Sequence, residues 1–368
     1  MDITSANFYA LVNRFNYTLF RKILKQLNIS FEHLNKSELP DSLARWACSA
    51  DITDIEKVKA QQLLSIFQDN IIYANKIIEI YTIDKNKIAT IESSLSKIKP
   101  DGLFVSRYGN NLATQEDLKE LHKERHYDLW RVISSNQETH LVFTTIRDIN
   151  NKEELSSELF KEARKSYDEI FGVNYIYTQC FDVITLYKDG TIDIKIDYYR
   201  SHAGKSQPKL HKKDIQKTID NLKDRFSMLL KENTDIDFIW EQPFNFKSVI
   251  GRLTSDPDLL ADDVKQTDNN GYITSFGSIG RKDVREGVGY FGANSALLNK
   301  GDIPKHYYYI GSIDMPMGDN GESKNTVFLE LSANPTLYHS ETSMVKNAII
   351  TGNLGYDDYH MLRRKLLN

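Results

Sequence analysis

Asp182 and the triplet Asp193-Ile194-Lys195 are the residues whose types and spacing could do chemistry. Two carboxylates brought together can hold a divalent cation, and a nearby lysine can position or polarise a water for attack on a phosphate. The run from Tyr175 to Tyr199 would bring them together. Asp189-Gly190 divides it into two alternating segments, and a two-residue primed turn there closes a β-hairpin. In that register Tyr187 faces Ile192, Thr185 faces Ile194, Val183 faces Ile196 and Phe181 faces Tyr198, giving an apolar face for a core. The other face sets Asp182 opposite Asp197, Ile184 opposite Lys195 and Leu186 opposite Asp193. Facing carboxylates repel unless a cation or a proton lies between them. The plainer reading is a solvated hairpin face whose charges alternate toward water.

This arrangement resembles the core of the PD-(D/E)xK nucleases, which carry an acid on one strand and acid-x-Lys on the next. The resemblance implies Asp182 as the first acid and Asp193 with Lys195 as the acid-x-Lys. It also implies Mg²⁺ on Asp182 and Asp193, with helices at 152–171 and 211–232 flanking the sheet. No Pro precedes Asp182, and Asp193 stands where Glu is commoner.

Two further segments carry local chemistry. Between residues 200 and 213 lie Arg200, Lys205, Lys209, Lys212 and Lys213, with His202 and His211 and no acid. In a chain of net charge −4 this is the sharpest local contrast, and a cationic loop can grip a phosphate backbone. The alternative is a solvated loop. Residues 271–293 hold Gly277, Gly280, Gly287, Gly289 and Gly292 around Arg281, Lys282 and Arg285, with Tyr290 and Phe291 as stacking surfaces for bases. No helix is read after these glycines, so neither a Walker loop nor a Rossmann fingerprint is expected.

Other signals favour structural readings. His122 and His126 are spaced i, i+4, but Lys123 and Arg125 mark a solvated face. Cys180 has no base beside it in sequence and reads as apolar packing. Glu330 fits an outward position in the strand TVFLELS. Arg363-Arg364-Lys365 could touch phosphate or complement a helix end.

The elements that must position these residues follow from periodicity. Phe8, Leu11, Val12, Phe15, Leu19, Ile23 and Leu27 recur at helical spacing, with Thr4 or Ser5 as cap. Asp51 or Thr53 caps a longer helix through Ile78. Lys99-Pro100-Asp101-Gly102 is a turn, placed as a boundary between a helical domain (1–98), a possible association module, and an α+β domain (99–368). In the second domain LFVSRY, HLVFTTIRDI, DIDFIW, YITSF, YYYIGSI and TVFLELS read as strands. Residues 341–350 and 359–367 read as helical. The expected fold class is α+β: N-terminal helices followed by a central antiparallel or mixed sheet.

The length of 368 residues suggests about two domains, and 40% hydrophobic with 27% charged residues excludes global disorder. The lone Cys48 and Cys180 fit a reducing, cytoplasmic compartment. No signal peptide and no membrane span are expected. The leading expectation is a cytoplasmic nucleic-acid-binding protein, DNA or RNA, of the kind that would serve bacterial antiviral defence. The alternatives are a Mg²⁺-dependent nuclease and a non-catalytic subunit of a multi-protein complex that uses Tyr-rich faces toward a protein partner or a second copy.

Overall fold

Thr4 opens the first helix by accepting from Asn7 N, and Thr53 opens the longest N-terminal helix in a reciprocal capping box with Glu56. The computed structural model describes residues 1–15, 17–31, 33–95, 97–123, 127–154, 171–198, 212–234, 236–278, 282–317, 323–334, 340 and 343–368. Helices α1 (Ser5–Arg14), α2 (Tyr17–Gln26), α3 (Leu39–Ala47) and α4 (Asp54–Tyr73) lead into β1 (Lys76–Thr82) and α5 (Lys85–Leu95). Helices α6 (Leu103–Tyr108) and α7 (Gln115–Leu121) precede β2 (Asp128–Ser134), β3 (Glu138–Glu154), β4 (Phe171–Tyr187) and β5 (Thr191–Asp197). Then come α8 (Lys212–Thr234), α9 (Lys247–Leu253), β6 (Leu260–Thr267), β7 (Ile273–Gly277) and α10 (Val288–Asn299). The last elements are β8 (Lys305–Met317), β9 (Ser323–Ser332), β10 (Ala348–Thr351) and α11 (Tyr356–Leu367).

The protein is α+β. Among the described residues ten strands form one sheet in the order β2-β3-β4-β5-β1-β10-β9-β8-β6-β7. Every pairing is antiparallel. On one face, Phe8, Leu63, Ile250 and Leu362 pack with Ile80, Val183 and Leu329. On the other, Ile88 and Ile91 of α5 and Leu222 and Phe226 of α8 cover Ile184, Leu186, Ile194 and Ile196. The β4–β5 ribbon is therefore buried on both sides, and its residues need not alternate apolar-in, polar-out.

Several expectations are corrected. Strand β1 comes from the 1–98 segment yet lies mid-sheet between β5 and β10. A boundary at residue 99 would split the sheet, and the N-terminal helices share one core with the strands. LFVSRY is α6; its Val and aromatics suggested a strand, but Gly102 and the Asp128 carboxylate, which accepts from Phe104 N at 2.8 Å, start a helical turn there. Residues 152–154 extend β3 and Phe171 opens β4, so the ends of the expected 152–171 helix are strand, and 155–170 lie outside the described residues. Residues 236–240 form no strand, and 348–351 are β10 rather than helix. A helix does form in this stretch: α10 starts after Gly287 and contains Gly289 and Gly292. Among the described residues no helix is long and apolar enough to cross a membrane.

Candidate functional site

The β4–β5 hairpin forms, but its register differs by one residue from the sequence expectation. Val183 pairs with Lys195, Thr185 with Asp193 and Tyr187 with Thr191. The loop is Lys188-Asp189-Gly190, in which Gly190 N donates to Tyr187 O at 3.1 Å and Gly190 has φ 95°. This is the three-residue hairpin that places a left-handed glycine last. A one-residue slip moves every side chain to the opposite face. Asp193, Lys195 and Asp197 therefore lie with Val183 and Thr185 toward the N-terminal helices, while Asp182 pairs with Phe143 and lies with Ile184 on the other face.

Asp182, Asp193 and Lys195 thus do not converge, and each acid already has its own cation. The Asp182 carboxylate meets Arg147 on one oxygen and accepts from Asp197 N at 2.8 Å on the other. Asp197 accepts from Phe181 N at 3.0 Å. The two carboxylates thus replace backbone ladder bonds where β4 and β5 part beyond Val183–Lys195. Asp197 also binds Arg14 through two bonds of 2.6 and 2.8 Å and Lys76 at 3.2 Å. Burial alone would raise the Asp197 pKa, but Arg14 and Lys76 hold it far below the usual carboxylate range. Burial pushes Lys76 down to about 8, with Asp197 opposing the shift. Asp193 accepts from Arg363 Nε and Tyr359 Oη, both at 2.8 Å.

Lys195 is fully buried, its Nζ 4.8 Å from the Tyr73 ring centre and 4.3 Å from that of Tyr359. Its Nζ has no hydrogen-bond partner among the described residues. Burial pushes its pKa down to about 7, against Asp193 and Glu138, which raise it. Beside it, Glu138 accepts from Tyr73 Oη at 2.7 Å and lies 3.0 Å from His140 Nε2 and 3.1 Å from His360 Nε2. The His360 contact has ion-pair distance without hydrogen-bond alignment. Burial would raise the Glu138 pKa, but both histidines and Lys195 hold it well below the carboxylate range.

The acids do not fit a shared Mg²⁺. Asp182 and Asp193 face opposite sides of the sheet and are matched to arginines, and no cluster of three or more His, Cys, Asp or Glu side chains suited to a metal occurs among the described residues. The network's chemistry is to neutralise charge inside a sheet, which makes either partner of its ion pairs, such as Asp193 and Arg363, costly to remove alone.

Arg200, Lys205, Lys209 and Arg281 lie outside the described residues, as do the side chains of Lys212 and Lys213 at the start of α8. Lys282 is exposed. Arg285 does not offer a free guanidinium: it pairs with Asp283 and donates to the carbonyls of Thr254, Asp256 and Leu259, tying down the 254–259 turn. Cys180 is buried and its pKa is pushed up to about 12 by that burial, so it packs rather than reacts. Glu330 is half-buried on β9, pairing with Ile310 and Ile349.

Sequence reasoning missed Arg14, Lys76, Arg147, Glu138, His140, Tyr73 and the inward role of Arg363. One local signal existed: Tyr356, Tyr359, His360 and Arg363 recur at i, i+3, i+4 and i+7, a polar stripe on one face of α11.

The accessible chemistry lies at the far end of the sheet. Among the described residues strand β7 is the last strand of the sheet and pairs only with β6. Its residues Ile273, Thr274, Ser275 and Gly277 are exposed, with no charge and no proline. Helix α10 reads VGYFGANSALLN, without a charged side chain and without one buried residue. Val288, Phe291 and Leu298 are 89%, 72% and 60% exposed, at i, i+3 and i+10 on one stripe. Tyr290 holds the helix to the sheet, its ring 5.1 Å from Phe276 and its Oη 3.2 Å from His306 Nε2. A separate cleft of about 350 Å³ opens between α5 and residues 236–241, lined by Ile83, Ile91, Ile236 and Phe238.

No protein-family model matches the chain, and no curated protein matches it.

Proposed function

We propose that this chain is a non-catalytic, cytoplasmic subunit of a protein assembly that binds its partner through the β7–α10 face. One observation carries the reading: a twelve-residue helix of apolar and small residues, free of charge, has none of its residues buried. Folded chains rarely leave such a surface to water, and contiguous exposed apolar patches mark interaction sites. Tyr272, Ile273, Val288, Phe291 and Leu298 are each exposed along this strand and helix. The pairing of Asp182 with Arg147 and of Asp193 with Arg363 supports a scaffold role for the charged hairpin over hydrolysis. The unpaired Cys48 and Cys180 are compatible with a reducing compartment.

The test is affinity purification of the tagged full-length chain and its Phe291→Glu variant from the native host. The wild type should bring down a stoichiometric polypeptide, a different protein or an untagged copy of itself, and the variant should lose it. A wild type that purifies without any stoichiometric polypeptide, yet cleaves nucleic acid with Mg²⁺, would overturn the proposal.

A further inference from the structure

Resting on that reading, we infer that the occupant of the β7–α10 face is a second copy of this chain, joined by antiparallel β7–β7 pairing across a twofold axis. Ile273–Gly277 has no strand beyond it among the described residues. Natural edge strands are usually blunted by charges, proline, bulges or a covering element, and this one has no charge and no proline. An antiparallel pair of one strand with itself is symmetric by construction, which is the geometry a closed dimer needs. Pairing would continue the sheet from one copy into the other and would bring α10 of each copy to the junction, since Tyr290 seats that helix on Phe276.

Charge fits this occupant and disfavours a polyanion. Across a twofold, each surface near the axis meets its own image, so a charge of either sign there would repel itself. From Tyr272 to Ser278 and from Val288 to Asn299 the sequence holds no Asp, Glu, Lys or Arg. Around this neutral centre, Lys282 and Lys300 accompany Glu286 and Asp302. A rim of both signs lets acid and base cross-match between copies, whereas nucleic acid or an anionic bilayer calls for a rim of one sign.

The test uses the purified full-length chain, its mass followed by light scattering over a dilution series. The wild type should run as a dimer. Ile273→Lys and Phe291→Glu should each raise the dimer dissociation constant by about 30-fold or more while the thermal midpoint of the monomer stays in place. Ser275→Cys, in a Cys48→Ser background, should give a disulfide-linked dimer on mild oxidation. A wild type that is monomeric throughout overturns the inference, as does a dimer indifferent to Ile273→Lys and Phe291→Glu with no crosslink through Ser275→Cys. If the monomer still binds a different protein and Phe291→Glu abolishes that binding, the second copy is excluded and the assembly reading stands. If neither a second copy nor another protein binds, both fall.

Discussion

In the β2–β5 half of the sheet, charge is hidden. Asp182, Asp193, Lys195 and Asp197 are buried and answered by Arg147, Arg363, Lys76 and Arg14 or by aromatic rings. At the other end, hydrocarbon is displayed on β7 and α10. The outer strands differ in the same sense. Strand β2 carries a bulge between Leu129 and Arg131, and Asp101 N donates to Leu129 O at 3.0 Å while its carboxylate accepts from Leu129 N. Asp128 accepts from Phe104 N and so ties α6 beside this edge. Strand β7 has no such cover among the described residues. The contrast separates two jobs. A paired internal charge makes one arrangement of distant segments the only comfortable one, while an uncovered apolar edge is a template for pairing with another chain.

Substitutions should therefore divide cleanly by location. The largest loss of stability is expected from Arg363→Met, which strands Asp193 in the interior: about 3–5 kcal/mol in urea unfolding, with no change in association of the molecules that remain folded. Asp128→Ala, which removes the acceptor for Phe104 N and loosens the covered edge, should cost about 1–3 kcal/mol by the same measurement. Acid should act at the open end through His306, whose pKa burial pushes down to about 4 from an ordinary 6.5. The unfolded chain takes up this proton first, so stability is lost as pH falls from 6.5 toward 4. His306→Gln should flatten that part of the profile.

Lys195→Met should do the opposite of Arg363→Met and stabilise the protein below pH 7. Lys195 titrates near 7 when folded and at an ordinary 10.5 when unfolded, so its cost is full below 7 and fades as pH rises toward 10.5. The advantage of the methionine should shrink over that window. Ile273→Lys should have the smallest effect on stability, within about 0.5 kcal/mol, while removing association. A large stability loss from Ile273→Lys would erase the distinction between the two regions.

The fold class was legible because strands such as TVFLELS and the helix repeats of Phe8 to Leu27 declare their own period. The hairpin at Asp189-Gly190 was legible too, but its register was not. The same dipeptide serves a two-residue primed turn and the last two residues of a three-residue loop, and only the fold of Lys188 into the turn decides between them. Alternation could not arbitrate, since both faces of the ribbon are covered. The cations that make the charged face tolerable come from α1, β1 and α11, far away in sequence. Residues 271–293 stood out, but for their arginines; Arg285 turned out to serve the chain's own carbonyls. The better signal was the absence of charge over α10 in a chain with 27% charged residues. Its glycines masked the helix because they carry low intrinsic propensity.

Strand β1 has a consequence for biosynthesis. It leaves the ribosome well before one of its two neighbours, β10 (Ala348–Thr351). Until β10 is made, Lys76, Ile77 and Ile78 wait with one side unpaired, a template for wrong partners. Closure of the sheet is then a late, long-range event that welds the β2–β5 half to the β6–β9 half. A nascent chain stalled before Ala348 should be a client for chaperones, and emergence of β10 should end that dependence.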